Sequence, residues 1–274
     1  MKDKPKHIEW LVDTGDRIPT AEGKAVAVWE FRHQKDEEVF SQWARYFRNH
    51  YCLDDQIDEL CSGTGYSRAD YLRQIKLPDE KIAPGPSIRA GDFSEILVAD
   101  YVEYILDYWV PRTRYIDKAI RNESTKGSDI IGFRFINDEG FSPHDMLAIF
   151  EVKAQFSGTK ANPRLQEAVD GSVKDQIRKS ETLNAMKQRF LDLKDLLAKR
   201  RIERFQSEED NPYQEISGAA ALFSFQQYDP EIIHETTTAI HPNNSNLVLL
   251  VIRGDSMMEL VHELYKRVID EAGS

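Results

Sequence analysis

Two charged residues end an otherwise apolar stretch at residues 146–153, where Glu151 and Lys153 stand two positions apart. Side chains of a strand alternate between its two faces, so both of these point the same way. Apolar residues occupy both faces of the stretch, which is typical of a strand inside a sheet. Burying an unpaired charge there is costly, so the two residues need partners, and a metal ion is the best candidate for a third member.

Two further acids, Glu95 and Asp129, precede this pair in the chain. Carboxylate oxygens suit Mg²⁺, which keeps several of its waters and is held by one or two acidic groups. We therefore expect Glu95, Asp129 and Glu151 to hold Mg²⁺, with Mn²⁺ as a substitute. Such an ion activates water and stabilises charge on a phosphodiester. Lys153 would orient or help deprotonate the water, or neutralise the developing negative charge.

A hairpin can bring two of these acids together. Residues 128–135 form a predicted strand, and an acidic turn near residues 137–141 suggests a hairpin into the stretch at 146–153. That pairing would place Asp129 beside Glu151.

A helix can present the remaining acid. Residues 91–109 have helical periodicity, and Asp92 is a suitable N-cap for them. Packed on the sheet, this helix would offer Glu95 to the same place. In the alternative interpretation, Glu95 only closes a capping box with Asp92. The acids predicted to lie on the opposite, solvated side of the helix are Asp100, Glu103 and Asp107.

The other acids also have ordinary structural explanations. Asp129 could simply start a turn, where Asp is common. Glu151 and Lys153 could form a cross-strand ion pair at the rim of a sheet. Their joint occurrence in this chain order favours the metal site.

Basic residues follow the apolar stretch. Residues 162–205 are predicted to form two helices, or one broken helix, with Lys and Arg around an apolar stripe. These residues either contact the phosphates of DNA or form a solvated helix face. The residues assigned to DNA contact are Lys126, Lys174, Arg178 and Lys179. For Lys126, and equally for Arg112, Arg114 and Arg121, the alternative is an ion pair with one of the many acids.

Composition restricts the class of protein. The 274 residues carry a net charge of -11, so the surface as a whole should repel nucleic acid, and DNA binding would need a local basic patch or a partner. The two cysteines lack metal-site spacing, and neither a signal sequence nor a membrane span is apparent, so we expect a cytoplasmic protein. HExxH, P-loop and GxSxG motifs are lacking, which argues against zinc proteases, ATPases and serine hydrolases.

The remaining pattern predicts an α/β fold with a mixed central sheet flanked by helices. Strands are expected at 8–12, 25–31 and 246–252, and residues 217–225 fit either a helix or a strand. A turn-rich segment at residues 77–86 suggests a soft boundary. It would separate an N-terminal accessory region, residues 1–80, from a working domain, residues 81–274.

The acids and the lysine together resemble the motif of the PD-(D/E)xK nuclease superfamily. Asp129, Glu151 and Lys153 match that motif, and Glu95 matches the acid often found on the preceding helix. Ser128 stands where the motif's name has proline. The resemblance implies a restriction-endonuclease-like core and a metal-dependent phosphodiester hydrolase.

Longer stretches are similar to the HamA family, the nuclease subunits of the Hachiman anti-phage defence system. These stretches are residues 71–73, 84–97, 111–115, 121–129, 150–154, 174–178 and 183–189. The resemblance covers roughly residues 60–260. It implies a DNA endonuclease effector that works with a partner helicase, HamB. The alternative is a catalytically silent subunit that keeps the nuclease fold and regulates a helicase.

Overall fold

A six-stranded mixed sheet runs through the protein in the order β1-β2-β6-β5-β4-β3. The computed structural model describes residues 3–116, 118–137 and 140–273. The strands are β1 (Leu11–Pro19), β2 (Ala25–Phe31), β3 (Ile130–Arg134), β4 (Met146–Gln155), β5 (Gln214–Ser224) and β6 (Leu247–Gly254). The β1–β2 and β3–β4 pairs are antiparallel, and the pairs between them are parallel.

Helices cover both faces of this sheet, so the predicted mixed α/β fold is confirmed. They are α1 (Glu37–Arg48), α2 (Ile57–Cys61), α3 (Arg68–Tyr71), α4 (Gly85–Asp100), α5 (Arg164–Ser172), α6 (Asp175–Asp192), α7 (Leu196–Glu203), α8 (Pro230–His234) and α9 (Met257–Asp270). A π-helical turn extends α3 through Leu72–Lys76, and another extends α4 through Tyr101–Ile105.

Alternation along β4 distributes its side chains between two helical layers. Phe150 and Val152 pack in a core that also contains residues of α1, α4 and α9. Leu147 and Ile149 pack on the other face with residues of α6 and α7. Glu151 follows the second set by strand alternation, so its side chain leaves the sheet on the face opposite α4.

The predicted interior strand is confirmed as β4, which lies between β3 and β5. Its register with β3 places Ile130 opposite Phe150, so Asp129 reaches the level of Glu151. The predicted hairpin pairing is therefore correct. The predicted turn at 137–141 includes positions 138 and 139, which lie outside the described residues.

Three local predictions are corrected. Helix α4 begins at Gly85, six residues before the predicted start, so Asp92 lies inside it and is not its N-cap. The capping-box explanation of Glu95 is therefore wrong. The start of the predicted strand at 8–12 is a 3-10 helix, Lys6–Trp10. Residues 217–225, left open between helix and strand, fall almost entirely within β5.

The N-terminal segment contributes strands to the same sheet. β2 pairs with β6 in parallel, and α1 packs against α9. The division into residues 1–80 and 81–274 remains a prediction. No helix in the described part of the chain combines the length and apolar character needed to cross a bilayer.

Candidate active site

Glu95 faces an arginine from the loop that follows α4. Its Oε2 accepts a hydrogen bond from Arg114 Nε at 2.7 Å and another from the hydroxyl of Tyr115. Burial, and then the nearby carboxylate of Asp129, raise the pKa of Glu95 to about 8 despite the arginine. Glu95 thus sits in an environment with excess negative charge.

Arg114 joins Glu95 to Asp129. Its NH2 group donates to Asp129 Oδ1 at 2.8 Å, and its NH1 group donates to the carbonyl of Ser128 at 2.6 Å. Burial alone would lower the pKa of Arg114, but the two carboxylates outweigh this effect and raise it, so the guanidinium stays charged. A protein cation therefore lies between two of the three acids predicted to hold Mg²⁺.

Asp129 is also fixed from the sheet. Its Oδ2 accepts a hydrogen bond from the backbone N–H of Val152 at 2.9 Å. Because Asp129 directly precedes β3 and Val152 lies on β4, this bond ties the start of one strand to the end of the other. The predicted juxtaposition of Asp129 with the Glu151–Lys153 strand end is confirmed.

Glu151 is buried, with 6% of its surface exposed, and only one of its oxygens has a partner. Lys153 Nζ donates to Oε1, whereas Oε2 has no hydrogen-bond partner among the described residues. Burial, and then Asp129, raise the pKa of Glu151. Burial would lower the pKa of Lys153, but the bond to Glu151 outweighs it and raises it, so Lys153 is an ammonium rather than a base.

Helix α5 lies directly against this glutamate. A Cβ atom added to Gly171 would lie 2.6 Å from Glu151 Oε1 and 2.7 Å from its Cγ, which is closer than real contacts allow. Glycine is therefore required for the helix to pass over the carboxylate.

A further acid of the site, Asp175, was not predicted from the sequence. It is the first residue of α6, only 2% exposed, and neither carboxylate oxygen has a hydrogen-bond partner among the described residues. Burial raises the pKa of Asp175 to about 7, and the charges of Glu151 and Asp129 add to the rise, whereas the neighbouring Ser128 hydroxyl and Arg178 oppose it. Its sequence context, a single acid between Lys174 and Arg178, suggested only a basic surface.

Two of the acids, Glu95 and Asp129, border two cavities. One, of about 700 Å³, is lined by Glu95, Arg114, Asp129 and Lys153 together with the end of β4. A smaller one, of about 210 Å³, shares Glu95, Arg114 and Asp129 and extends to Lys126. The Arg114 bridge thus forms part of the wall of both, and the larger cavity gives access to the end of Lys153.

A divalent cation needs several oxygen donors that point to one position. Among the described residues, no three Asp, Glu, His or Cys side chains are arranged to hold a metal ion. Arg114 engages Glu95 and Asp129, and Lys153 engages Glu151. The chemistry of the site still fits a hard cation, because its donors are carboxylate oxygens and three buried ones, on Glu151 and Asp175, lack partners.

The basic candidates divide into two groups. Several are engaged in ion pairs: Arg112 with Asp100 and Glu103, Arg121 with Asp79, and Lys179 with Glu215. Lys126, Lys174 and Arg178 make no ion pair with another residue in the described ranges. Asp100 and Glu103 are buried, so the prediction that they face solvent is wrong.

The fold and site define a mixed α/β protein with an acidic, lysine-containing site at one end of its central strands. The family model for HamA matches residues 6–268. The chain belongs to the HamA family, which associates it with Hachiman anti-phage defence. The predicted family is thus confirmed, and the match extends beyond residues 60–260 at both ends. A comparison with curated proteins found no match.

Proposed function

We propose that this protein is a Mg²⁺-dependent DNA endonuclease of the PD-(D/E)xK type, acting as the effector of a defence system. The observation that carries the proposal is the strand end at which Glu151 and Lys153 lie beside Asp129, and at which one buried Glu151 oxygen finds no partner among the residues that the structure describes. In this proposal residues 81–274 form the nuclease-like domain, and residues 1–80 are accessory.

The residues take separate roles. Asp129 and Glu151 would hold the ion, and Glu95 is the predicted third ligand. When bound, the ion would supply charge stabilisation and an activated water for phosphodiester hydrolysis. The hydrogen bond from Val152 N–H holds Asp129 in place. Lys153, kept protonated by Glu151, would face the phosphate as a positive charge and stabilise the charge that develops during cleavage.

DNA binding is expected to be weak for the isolated chain. Its net charge is -11. In the described part of the chain, few basic residues near the site are without an ion pair, namely Lys126, Lys174 and Arg178. We propose that a helicase subunit of the HamB type supplies the remaining affinity. DNA affinity measured with and without that subunit tests this, and tight binding by the chain alone at physiological salt would refute it.

Plasmid cleavage tests the enzymatic activity. The wild-type complex with its helicase is expected to cut plasmid DNA in Mg²⁺ and to be inactive in EDTA. Glu151→Gln and Lys153→Ala should each lower the rate by about 10²-fold or more, since each removes a charged group from the reacting centre. Glu181→Gln, an exposed acid on α6, is the matched control. Equal cleavage by wild type and both site variants would remove the enzymatic proposal.

One observation favours the second candidate, a catalytically silent subunit that regulates a helicase. Arg114 occupies the space between Glu95 and Asp129, as a structural ion pair would. In that case the wild-type chain would bind no divalent cation and yet alter the ATPase or unwinding rate of the helicase. Glu151→Gln would leave that alteration unchanged.

A further inference from the structure

Buried polar atoms without partners are concentrated beside Glu151. Among the described residues, they are Glu151 Oε2, both carboxylate oxygens of Asp175, and the hydroxyl oxygen of Ser128, which lies close enough to Asp175 to oppose the rise of its pKa. Nearly all buried polar groups in folded proteins find a partner, and an unpartnered carboxylate is among the most costly to bury. A missing partner at this place should therefore be positively charged.

Two contacts and the short connection between α5 and α6 bring these atoms to the same face of the sheet. Gly171 lies against Glu151, so the end of α5 covers that carboxylate. Helix α6 starts at Asp175, directly after α5 ends at Ser172. Further along α6, Thr182 Oγ1 accepts a hydrogen bond from Ser128 N–H at 3.3 Å. The start of α6 is thus held between the end of β4 and the residues that precede β3.

Glu95 belongs to a helix on the opposite face of β4 from Glu151, although it shares a cavity with Asp129 and Lys153. Helix α4 packs on the face formed by Phe150 and Val152, whereas Glu151 points to the other face. Glu95 already accepts two hydrogen bonds, one of them from the charged Arg114. Asp175 accepts none from a described residue. Of the two, Asp175 has the oxygens available for a cation.

We propose that Asp175 joins Glu151 as a ligand of the divalent cation, and that Glu95 acts as a positioning residue. Glu95 holds Arg114, and Arg114 holds Asp129 Oδ1 in turn. This assignment rests on the proposed metal-dependent function. Arg178 lies one turn further along α6 but donates no hydrogen bond to Asp175, and among the described residues that arginine and the neighbouring Ser128 hydroxyl favour the charged form of Asp175.

Direct Mn²⁺ binding tests the assignment without reference to cleavage. The full-length chain is titrated with Mn²⁺ and followed by electron paramagnetic resonance. Asp175→Asn is expected to weaken Mn²⁺ binding about tenfold or more, as does Glu151→Gln, because each removes a charged oxygen donor. Glu95→Gln should change the affinity by less than about threefold, and the exposed control Glu181→Gln should leave it unchanged.

A change of metal preference separates a ligand from a structural residue. In Asp175→Cys the donor becomes a thiolate, which favours Zn²⁺ over Mg²⁺ and Mn²⁺. This variant should bind Zn²⁺ at least about tenfold more tightly than Asp175→Asn, which has the same Cys52 and Cys61 background. A residue that only supports the fold would give equal Zn²⁺ affinities in the two variants.

The outcomes distinguish this assignment from the function on which it rests. If wild type binds Mn²⁺, Asp175→Asn keeps that affinity and Glu95→Gln loses it, the assignment is overturned and the metal-dependent function stands. Equal Zn²⁺ affinities for Asp175→Cys and Asp175→Asn overturn it as well. If wild type binds no Mn²⁺ at millimolar concentration, the proposed function itself fails.

Discussion

Arg112 and Arg114 stand two positions apart, and each bridges two acids, but their surroundings differ. Arg112 joins Asp100 and Glu103, and Asp100 also accepts a hydrogen bond from Tyr46 at 2.7 Å and contacts His7 Nε2 at 3.0 Å. Burial would raise the pKa of Asp100, yet Arg112 and His7 outweigh it and lower the pKa to about 2. This cluster is electrostatically satisfied.

The Arg114 cluster has more acid than its cations compensate. Glu95 has a pKa raised to about 8, Asp175 has one raised to about 7, and three buried carboxylate oxygens nearby have no partner within the described ranges. The contrast teaches that an arginine between two acids does not by itself make a structural ion pair. The direction of the pKa shift of the acids tells a completed cluster from one that still needs a cation.

The largest expected effect is on stability: two Asp→Asn variants should change the free energy of unfolding in opposite directions. Asp100→Asn should lower the free energy of unfolding by about 3–5 kcal/mol, because it removes a buried carboxylate that Arg112, His7 and Tyr46 share. Metal-free Asp175→Asn should instead raise it by about 1 kcal/mol at pH 8, because it removes an unpaired buried charge. Urea denaturation measures both, and the exposed Asp192→Asn is the control. A large loss of stability in both variants would mean that Asp175, like Asp100, is a paired structural acid.

Gly171→Ala should disturb the site through Glu151. The added Cβ overlaps the Glu151 side chain, so we expect a loss of about 1–3 kcal/mol in unfolding free energy. Mn²⁺ affinity should fall as well, because the carboxylate must move. Gly91→Ala is the matched control on α4, since its Cβ would meet no atom within 4 Å and alanine favours a helix. If the two variants bind Mn²⁺ alike, the contact with Glu151 has no role in the site.

The pH dependence of stability should differ with and without metal. Asp175 has a folded-state pKa of about 7, above the ordinary value of 3.8 for its carboxyl group. Its stabilising contribution is therefore complete below about pH 4 and is lost as the pH rises to about 7. Metal-free wild type should lose about 1–3 kcal/mol over this range relative to Asp175→Asn. Saturating Mg²⁺ should reduce that loss, and an identical profile in both variants would argue against a buried, ionisable Asp175.

The smallest expected effect concerns DNA. Lys126→Ala should weaken DNA binding by the helicase complex several-fold and reduce the slope of log affinity against log salt by about 1, since one phosphate contact is removed. Arg121→Ala, whose guanidinium already pairs with Asp79, should leave the slope unchanged. Equal slopes for both variants and wild type would mean that Lys126 contacts no phosphate.

The sequence predicted the parts of the site that follow from strand periodicity. Alternation in the stretch at 146–153 identified an interior strand and placed Glu151 and Lys153 on one face, and the pairing of Asp129 with that strand end followed from a hairpin. These features depend on local pattern and on one strand pairing. Both features lie within residues 128–153. Alternation along each strand and the register of one hairpin are enough to predict them.

Features set by long-range partners could not be read in this way. Helical periodicity assigned Asp100 to a solvated face, but Arg112 and His7 make its burial possible. Asp92 suited a helix cap, but Lys118 and Tyr51 hold it inside α4. Asp175 lies among basic residues, and only the packing of α6 against β4 and Ser128 shows that it is buried. Periodicity gives the face of a residue and does not give its partner.

A Mn²⁺-soaked crystal tests the central claim most directly, because anomalous scattering locates the ion without any assumption about activity. The account predicts a peak within coordination distance of Glu151 and Asp175, with Arg114 still bound to Glu95. The account would be contradicted if saturating Mn²⁺ gave no peak among these carboxylates and both oxygens of Asp175 were still without a partner.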